Sequence, residues 1–304
     1  MTATAATQQV SGKTGRDQAP ATTRRHRRRK VGSERVNWPA TILLTICSLA
    51  VLIPLVVTVM MSLKTTQQAV DGNAFTLPNP LTFDSFRQAW QLTNFPHAAM
   101  ISAFITVIAV TGEIFISALA AYAIVRNWEH RLFRWSFFYL LAAMFIPFPV
   151  VALPQIRLTG LLHLDNPLGV AILHISFALA FNTMLFTAFL HTIPEELEES
   201  MRIDGASTWT VFRKLILPLL GPMCATVGIF AFIQSWNDFM MPSLIISDPN
   251  MQTIPVIQQM FQTQFSNSYN VAFASYLMAM APTIIAYLFT QRWVLSGLTQ
   301  GAIK

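Results

Sequence analysis

Charged residues are scarce in this chain, which holds only 14 acidic and 20 basic side chains among its 304 residues. With 11% charged and 53% hydrophobic residues, the composition excludes an ordinary soluble domain of this length. Cysteine is almost absent as well. Cys47 and Cys224 both lie in apolar runs, where small packing residues are expected rather than a disulfide or a metal site. The chain is therefore predicted to lie in a membrane.

The sequence also lacks the short motifs of nucleotide-hydrolysing and metal-dependent enzymes. No GxxxxGK[ST], HExxH or GxGxxG pattern occurs, and no paired spacing of metal ligands is found. We therefore expect that this chain has no catalytic residue, binds no metal or cofactor, and does not hydrolyse ATP by itself.

Long apolar segments are abundant instead. A membrane-spanning helix needs about 20 consecutive apolar residues. Segments that qualify or nearly qualify lie at 39–63, 98–125, 135–156, 168–190, 215–246 and 271–291. Prolines inside several of them are tolerated when neighbouring helices satisfy the freed backbone groups. The predicted fold is all-α and integral to the membrane, with six transmembrane helices.

The basic residues predict the orientation, because cytoplasmic loops of membrane proteins are enriched in Lys and Arg. With the N-terminus inside, 17 of the 20 basic residues are cytoplasmic, and only Lys64, Arg87 and Arg157 lie outside. Both termini are therefore expected in the cytoplasm. Residues 1–37 are predicted to form a disordered basic tail that fixes topology and contacts anionic lipid rather than nucleic acid.

A polar block at 192–218 separates the fourth and fifth predicted spans. Thr192 and Glu195 have the spacing of a capping box, and Ser207 is placed to cap a second, amphipathic helix. Gly205 permits the tight turn between the two helices. This pattern predicts a short helix, a bend and an amphipathic helix along the inner membrane surface. A solvated loop with good caps explains several of these residues as well.

This block resembles the EAA loop of ATP-binding-cassette importer permeases. The matching residues are Glu199, Asp204, Gly205, Ala206, Phe212, Leu217 and Pro218. Ser200 and Met201 stand where that family usually has two alanines. In the family the loop forms a coupling helix that docks into a cytoplasmic ATPase, and its Glu faces an arginine there. The resemblance implies the same coupling role for the matching residues.

Two further matches narrow the resemblance to sugar importers. FIQSWNDFMMP at 232–242 is similar to the Trp-Asn-Asp/Glu-Phe signature on the fifth helix of sugar importer permeases. QRWVLSGLTQGAIK at 291–304 is similar to the C-terminus of the maltose-type second permease subunit, whose end reaches into the ATPase dimer interface. The resemblance assigns an ATPase-contacting tail to residues 292–304, with Gly297, Leu298, Thr299 and Gly301.

The resemblance implies a type I importer permease fold and a set of partners. A second, related permease completes the pore as a heterodimer. Two cytoplasmic ATPase subunits use ATP and magnesium, and a separate binding protein delivers the sugar outside the plasma membrane of a bacterium or archaeon. Closure of the ATPases then moves the coupling helices and switches the pore between inward-open and outward-open states.

Intramembrane polar residues are the candidates for the sugar pathway. Trp236, Asn237 and Asp238 combine an aromatic face with the amide and carboxylate groups that suit sugar hydroxyls. A helix break whose polar groups bond freed backbone explains the same trio. Glu113 is the other intramembrane carboxylate. Either a place in the pathway or a structural bond to a neighbouring helix accounts for it.

The predicted outer loop at 247–270 is rich in amides, with one acidic and no basic residue. In the maltose-type subunit the loop between the last two helices reaches into the binding protein. The resemblance therefore assigns docking to Gln252, Gln258, Gln259 and Gln262. A solvated connector is the alternative interpretation of this loop.

Two other classes of transport protein share some of these sequence features. An importer permease for amino acids, polyamines or phosphate has an EAA loop, but is not expected to combine it with both sugar-type motifs. A stand-alone secondary transporter or channel predicts inverted repeats or several charges in mid-span. We find no clear repeat and only Glu113 in mid-span, so sugar import is favoured.

Overall fold

The computed structural model describes residues 37–92, 94–264 and 268–300, and the predicted basic tail therefore lies almost wholly outside the described residues. Helices account for most of the described chain, which contains no β-strand. The helices are α1 (Trp38–Ser62), α2 (Thr66–Asp71), α3 (Asp84–Leu92), α4 (Phe95–Arg126), α5 (Arg131–Ala143), α6 (Phe148–Leu161), α7 (Pro167–Leu190), α8 (Glu196–Ile203), α9 (Thr208–Val211), α10 (Leu217–Leu219), α11 (Gly221–Asn237), α12 (Met240–Ile245), α13 (Ile254–Gln264) and α14 (Tyr269–Gln300).

Up to six membrane spans are present in the described chain. α1, α4, α7 and the Tyr269–Phe289 part of α14 are each long and apolar enough to cross a bilayer. Two bent pairs provide the other candidates: α5 with α6, at 105°, and Thr208–Leu219 with Gly221–Asn237, at 74°. Each predicted apolar segment is thus largely helical, and the all-α membrane fold is confirmed.

The predicted spans at 135–156 and 215–246 are each interrupted in the structure. The first segment breaks before Pro147, because the residue that precedes a proline is driven out of helical geometry. The second bends at Leu220, two residues before Pro222, and its helix ends again at Asn237. Within each of these segments one helix ends and another begins.

α4 is the central helix of residues 51–304, the larger of the two units into which the chain divides. It packs closely against α7 and also contacts α3, α5, α11 and α13. Small side chains allow the close approach: a Cβ built on Gly112 would lie 2.3 Å from Cδ1 of Ile175 on α7. Gly112 leaves room for the Ile175 side chain between the two helices, as small residues commonly do where membrane helices pack closely.

Apolar clusters lie at successive heights along α4, and two of them are the largest. The first joins Tyr122 of α4 to Phe186 of α7 and to Phe212 in the loop before α11. The second joins Ile105, nearer the start of α4, to the beginning of α7 and to Met241 of α12. The polar loop at 192–218 therefore shares one core with the membrane spans.

Candidate functional site

The loop between α7 and α11 folds into short helices that meet at a tight turn. α8 ends at Ile203, and Gly205 has φ of +86°, a conformation that glycine adopts without a steric penalty. The next helix starts at Thr208, where the Ser207 hydroxyl accepts a hydrogen bond from the N–H of Thr210 at 3.3 Å. The predicted turn and the predicted cap are both confirmed.

The predicted capping box of Thr192 and Glu195 is wrong. α8 starts at Glu196 without a side-chain cap. The Thr192 hydroxyl donates instead to the carbonyl of Phe189 at 2.7 Å. Glu195 pairs with the guanidinium of Arg126 at 3.0 Å, and such a charge-assisted bond is stronger than a bond to a neutral backbone amide.

A π-helical turn, Phe212–Ile216, follows α9 and widens the helix by one residue. This turn buries Phe212 and Ile216 almost completely and leaves Arg213 and Lys214 exposed. The Phe212 ring lies 5.4 Å from the Tyr122 ring, measured between centroids. The amphipathic character predicted for this helix is therefore present, with its apolar face against the core.

Glu198 is the buried charge of the loop, and the sequence pattern did not distinguish it from the neighbouring acids. Its side chain is 2% exposed. Its oxygens accept hydrogen bonds from Nε of Arg126 at 2.7 Å, from the Tyr122 hydroxyl at 2.8 Å and from Nη2 of Arg202 at 3.4 Å. A buried carboxylate is costly unless it is paired and hydrogen-bonded. This cluster satisfies Glu198 and ties α8 to the end of α4.

The residues that match the EAA motif fall into two groups. Phe212 is buried, and Ala206 and Leu217 are half-buried against the core. The other four are exposed: Glu199, Asp204, Gly205 and Pro218. Among the residues that the structure describes, neither Glu199 nor Asp204 forms an ion pair. One side of the loop is thus packed against the core, and the other side is exposed.

Glu113 lies in the middle of α4 and is 2% exposed. Nδ2 of Asn182 on α7 donates a hydrogen bond to its carboxylate at 3.0 Å. Both side chains line a cavity of about 430 Å³. The remaining lining residues are mainly apolar or aromatic: Phe177, Ala178, Phe181, Phe230, Ala231, Ile233 and Gln234. An apolar cavity with a few polar groups is the usual form of a small-molecule site.

The predicted trio on the fifth span lies at the break after α11. Trp236 is 6% exposed and donates from Nε1 to the carbonyl of Ala279 on α14 at 3.1 Å. Nδ2 of Asn237 donates to the carbonyl of Ile233 at 2.8 Å. Oδ1 of Asp238 accepts from the backbone N–H of Met240 at 2.9 Å. The trio therefore makes bonds within the chain, two of them to backbone groups near the helix end.

His174 on α7 is a second polar residue that was not predicted from the sequence. Its Nε2 lies 2.8 Å from Oδ2 of Asp238, and its Nδ1 lies 3.0 Å from the Ser235 hydroxyl. Ser235 in turn lies 3.2 Å from the hydroxyl of Thr106 on α4. The chain of contacts joins α4, α7 and α11 next to the helix break. The sequence feature that could have indicated this contact is a single histidine within an otherwise apolar span.

The predicted docking glutamines differ in environment. Gln252 is buried, and Gln258 donates to the carbonyl of Ser275 on α14 at 3.2 Å. Gln259 is exposed. The side chain of Gln262 lies outside the described residues, as do the side chains of the predicted tail, although α14 continues as helix to Gln300.

Metal-binding groups are absent from the described part of the chain, in which no three His, Cys, Asp or Glu residues are suitably placed. Cys47 and Cys224 are both free. The arrangement is that of a transporter subunit: apolar spans, a mainly apolar cavity with a few polar groups, and a loop that is packed against the core on one side and exposed on the other.

The chain belongs to the family of binding-protein-dependent transport system inner membrane components, which matches residues 113–300. It is a multi-pass membrane permease. It is 35% identical to the multiple sugar-binding transport system permease protein MsmG of Streptococcus mutans, over 86% of this chain and 95% of that protein. It is 30% identical to the melibiose/raffinose/stachyose import permease protein MelC of Bacillus subtilis, over 87% and 95% respectively.

Solved structures share the fold. A bacterial ABC transporter that imports the acidic polysaccharide alginate contains a chain that matches with a TM-score of 0.72 at 24% identity. The match covers 84% of this chain and 95% of that one. The type I importer permease fold is therefore confirmed.

Proposed function

We propose that the chain is one of two permease subunits of an ATP-driven sugar importer in the plasma membrane of a bacterium or archaeon. Relatives that carry sugar-transport names align over most of their length. The observation that carries the proposal is the loop between α7 and α11, because its inner side is fixed to the core while its outer side is open. A partner that pushes on this loop moves the spans.

The open side of the loop fits a cytoplasmic ATPase. Glu199 and Asp204 are exposed acids, and Ile203 between them is 86% exposed. An apolar side chain with flanking acids suits a cleft with an apolar floor and basic rim, and charge complementarity of this kind fixes the docking register. The ATPases supply ATP and magnesium chemistry, and the distribution of basic residues supports a cytoplasmic position for the loop and both termini.

The sugar pathway is proposed to run along the cavity at Glu113 and Asn182 and past Trp236, Asn237 and Asp238 at the helix break. Aromatic rings and amides line the cavity, and both suit the faces and hydroxyls of a sugar. Its lining contains one carboxylate and no Lys or Arg. That composition favours a neutral sugar over a phosphate or another anionic solute. A second permease would supply the opposite wall.

The outer loop is proposed to dock the sugar-delivering binding protein. Gln259 offers an exposed amide, whereas Gln258 holds the loop to α14 through Ser275. The predicted C-terminal contacts with the ATPase, through Gly297, Leu298, Thr299 and Gly301, remain part of the proposal.

The first test is a mild-detergent pull-down from native membranes through an N-terminal tag, which leaves the C-terminus free. An ATPase, a second permease and ATP-dependent sugar uptake in vesicles are expected. The Glu199→Ala variant should weaken ATPase association by tenfold or more, since truncating a desolvated ion pair costs about 2 to 5 kcal/mol. Glu129→Ala, an exposed acid on another loop, is the matched control.

Two results would contradict the proposal. Recovery of the chain alone, still able to transport sugar without ATP, would indicate a secondary transporter or channel. ATPase recovery and uptake at the wild-type level in Glu199→Ala would remove Glu199 from the coupling contact.

The pathway is tested by comparing Gln234→Ala with Asn237→Ala. Gln234 is an exposed amide of the cavity wall, and losing one hydrogen bond to sugar, about 1 kcal/mol, should raise KM about fivefold. A smaller rise is expected for Asn237→Ala, because that amide already donates to Ile233. Unchanged KM in both variants, at normal yield of folded protein, would place the pathway elsewhere.

A further inference from the structure

α4 carries polar contacts to a different element at each of four heights. Near its C-terminal end, Arg126 and Tyr122 bind Glu198 of α8. In the middle of the helix, Glu113 binds Asn182 of α7. Closer to its N-terminal end, Thr106 contacts Ser235 of α11. Near its start, the Ser102 hydroxyl accepts a hydrogen bond at 3.0 Å from the backbone N–H of Ile254, the first residue of α13.

The helix between these contacts is continuous. α4 has 32 residues, and its only proline, Pro96, lies in the first turn, where proline does not interrupt the hydrogen-bond ladder. At 1.5 Å per residue its length is about 48 Å. A displacement applied at Arg126 is therefore delivered along the helix to Ser102, since no break absorbs it.

The attachment at Glu198 is stronger than a contact between exposed charges. Arg126 is 10% exposed and Glu198 2% exposed. The same guanidinium pairs with Glu195, and its Nη2 lies 3.5 Å from the carbonyl of Ile193. Separating a buried ion pair leaves each charge without compensation, so α8 and the end of α4 move together.

We propose that α4 transmits movement of the coupling loop to the outer side of the core, and that Glu198 and Arg126 are the positioning residues that fasten it to the loop. The inference rests on the proposed function, in which an ATPase moves that loop. Glu199 and Glu198 then have separate tasks, because the first engages the ATPase and the second passes the movement on.

The test uses the complete importer, purified from native membranes and reconstituted in lipid vesicles. An environment-sensitive fluorophore on a bioorthogonal amino acid at Met100 reports movement of the outer part of α4, since this side chain is 63% exposed. Two quantities are measured: the fluorescence change on ATP addition, and the ATP hydrolysed per sugar imported.

Glu198→Gln is compared with Glu196→Gln, a matched change at an exposed position of the same helix. Glu198→Gln should retain the ATPase, lose most of the ATP-driven fluorescence change and raise the ATP consumed per sugar about threefold, within the range for changes along a coupled network. Glu196→Gln should behave as wild type. Tyr122→Phe, which removes one hydrogen bond and keeps the ion pair, should produce a smaller change in the same direction.

The outcomes are distinguishable. A full fluorescence response and a normal ATP-to-sugar ratio in Glu198→Gln would overturn the inference and leave the proposed function intact. If Glu198→Gln does not assemble, wild-type behaviour of Tyr122→Phe overturns the inference on its own. A wild-type complex that contains no ATPase would overturn the proposed function, and the inference with it.

Discussion

Two polar networks hold the loops of this protein, and they are built differently. The network at the end of α4 contains opposite charges: Glu198 is buried against Arg126 and Arg202. The network at the start of α14 has one charge: Nζ of Lys64, 1% exposed, donates to the carbonyl of Asn73 at 2.7 Å and to the Thr76 hydroxyl at 3.0 Å. Within the described residues, no carboxylate forms an ion pair with Lys64.

The second network is completed by a buried amide. Nδ2 of Asn270 lies 2.9 Å from the Ser85 hydroxyl and 3.3 Å from the carbonyl of Lys64 and the hydroxyl of Thr66. These contacts close the segment between α1 and α3 onto α14. Lys64 is thus satisfied by hydrogen bonds to uncharged carbonyl and hydroxyl oxygens. The network of paired charges joins α8 to α4, the two helices that are proposed to move together.

The largest effect is expected for Arg126→Ala, which removes the main partner of Glu198. The free energy of unfolding should fall by about 3 to 5 kcal/mol, because a buried carboxylate is left uncompensated. The thermal denaturation midpoint of the detergent-solubilised protein measures the loss. Arg131→Ala, at an exposed position of α5, is the control, and equal midpoints for the two variants would show that the charged network contributes nothing to stability.

Lys64→Met should cause the second-largest loss in the free energy of unfolding, and it tests whether the two networks have different roles. The substitution removes a charged donor from two acceptors, for a loss of about 2 to 3 kcal/mol. The ATP consumed per sugar should stay at the wild-type level, whereas Arg126→Ala should raise it. ATP hydrolysis, sugar uptake and denaturation measured on the same preparations test both statements, with the exposed Arg87→Met as the reference. A rise in the ATP consumed per sugar in Lys64→Met would erase the distinction.

Ser207→Ala should have the smallest effect. Loss of the helix cap costs about 1 kcal/mol, and the charged network should hold α8 in place without it. Ser200→Ala is the matched variant, because the Ser200 hydroxyl only bonds back to the carbonyl of Leu197 in its own helix. A midpoint shift as large as that of Arg126→Ala would mean that the cap, and not the ion pairs, positions the loop.

The sequence correctly predicted several features that depend only on neighbouring residues, although not the capping box of Thr192 and Glu195. Apolar runs of sufficient length predicted the spans, and the positions of Gly205 and Ser207 predicted a turn and a cap that the structure contains. It did not separate Glu198 from Glu199, because both belong to one run of acids. Which of the two side chains is buried depends on the rotation of α8 about its axis relative to Arg126. Arg126 is 72 residues away from Glu198 in the chain.

The broken spans were missed for a related reason. Proline is compatible with a kink or with a full break in a membrane helix, and the neighbouring helices decide between them. At Pro147 and near Pro222 the helix stops. His174 was missed because its partners Asp238 and Ser235 lie on another span, and only the packing of α7 against α11 brings them together.

The π-helical turn at Phe212–Ile216 has a consequence for anyone who builds hybrid permeases. This turn contains one residue more than a regular α-helical turn. Each residue of an α-helix corresponds to about 100° of rotation. A loop transplanted from a relative with a regular helix at this point would turn every later side chain of the fifth span by that angle. Domain exchange in this family should therefore match the turn type at the junction and not only the aligned residue numbers.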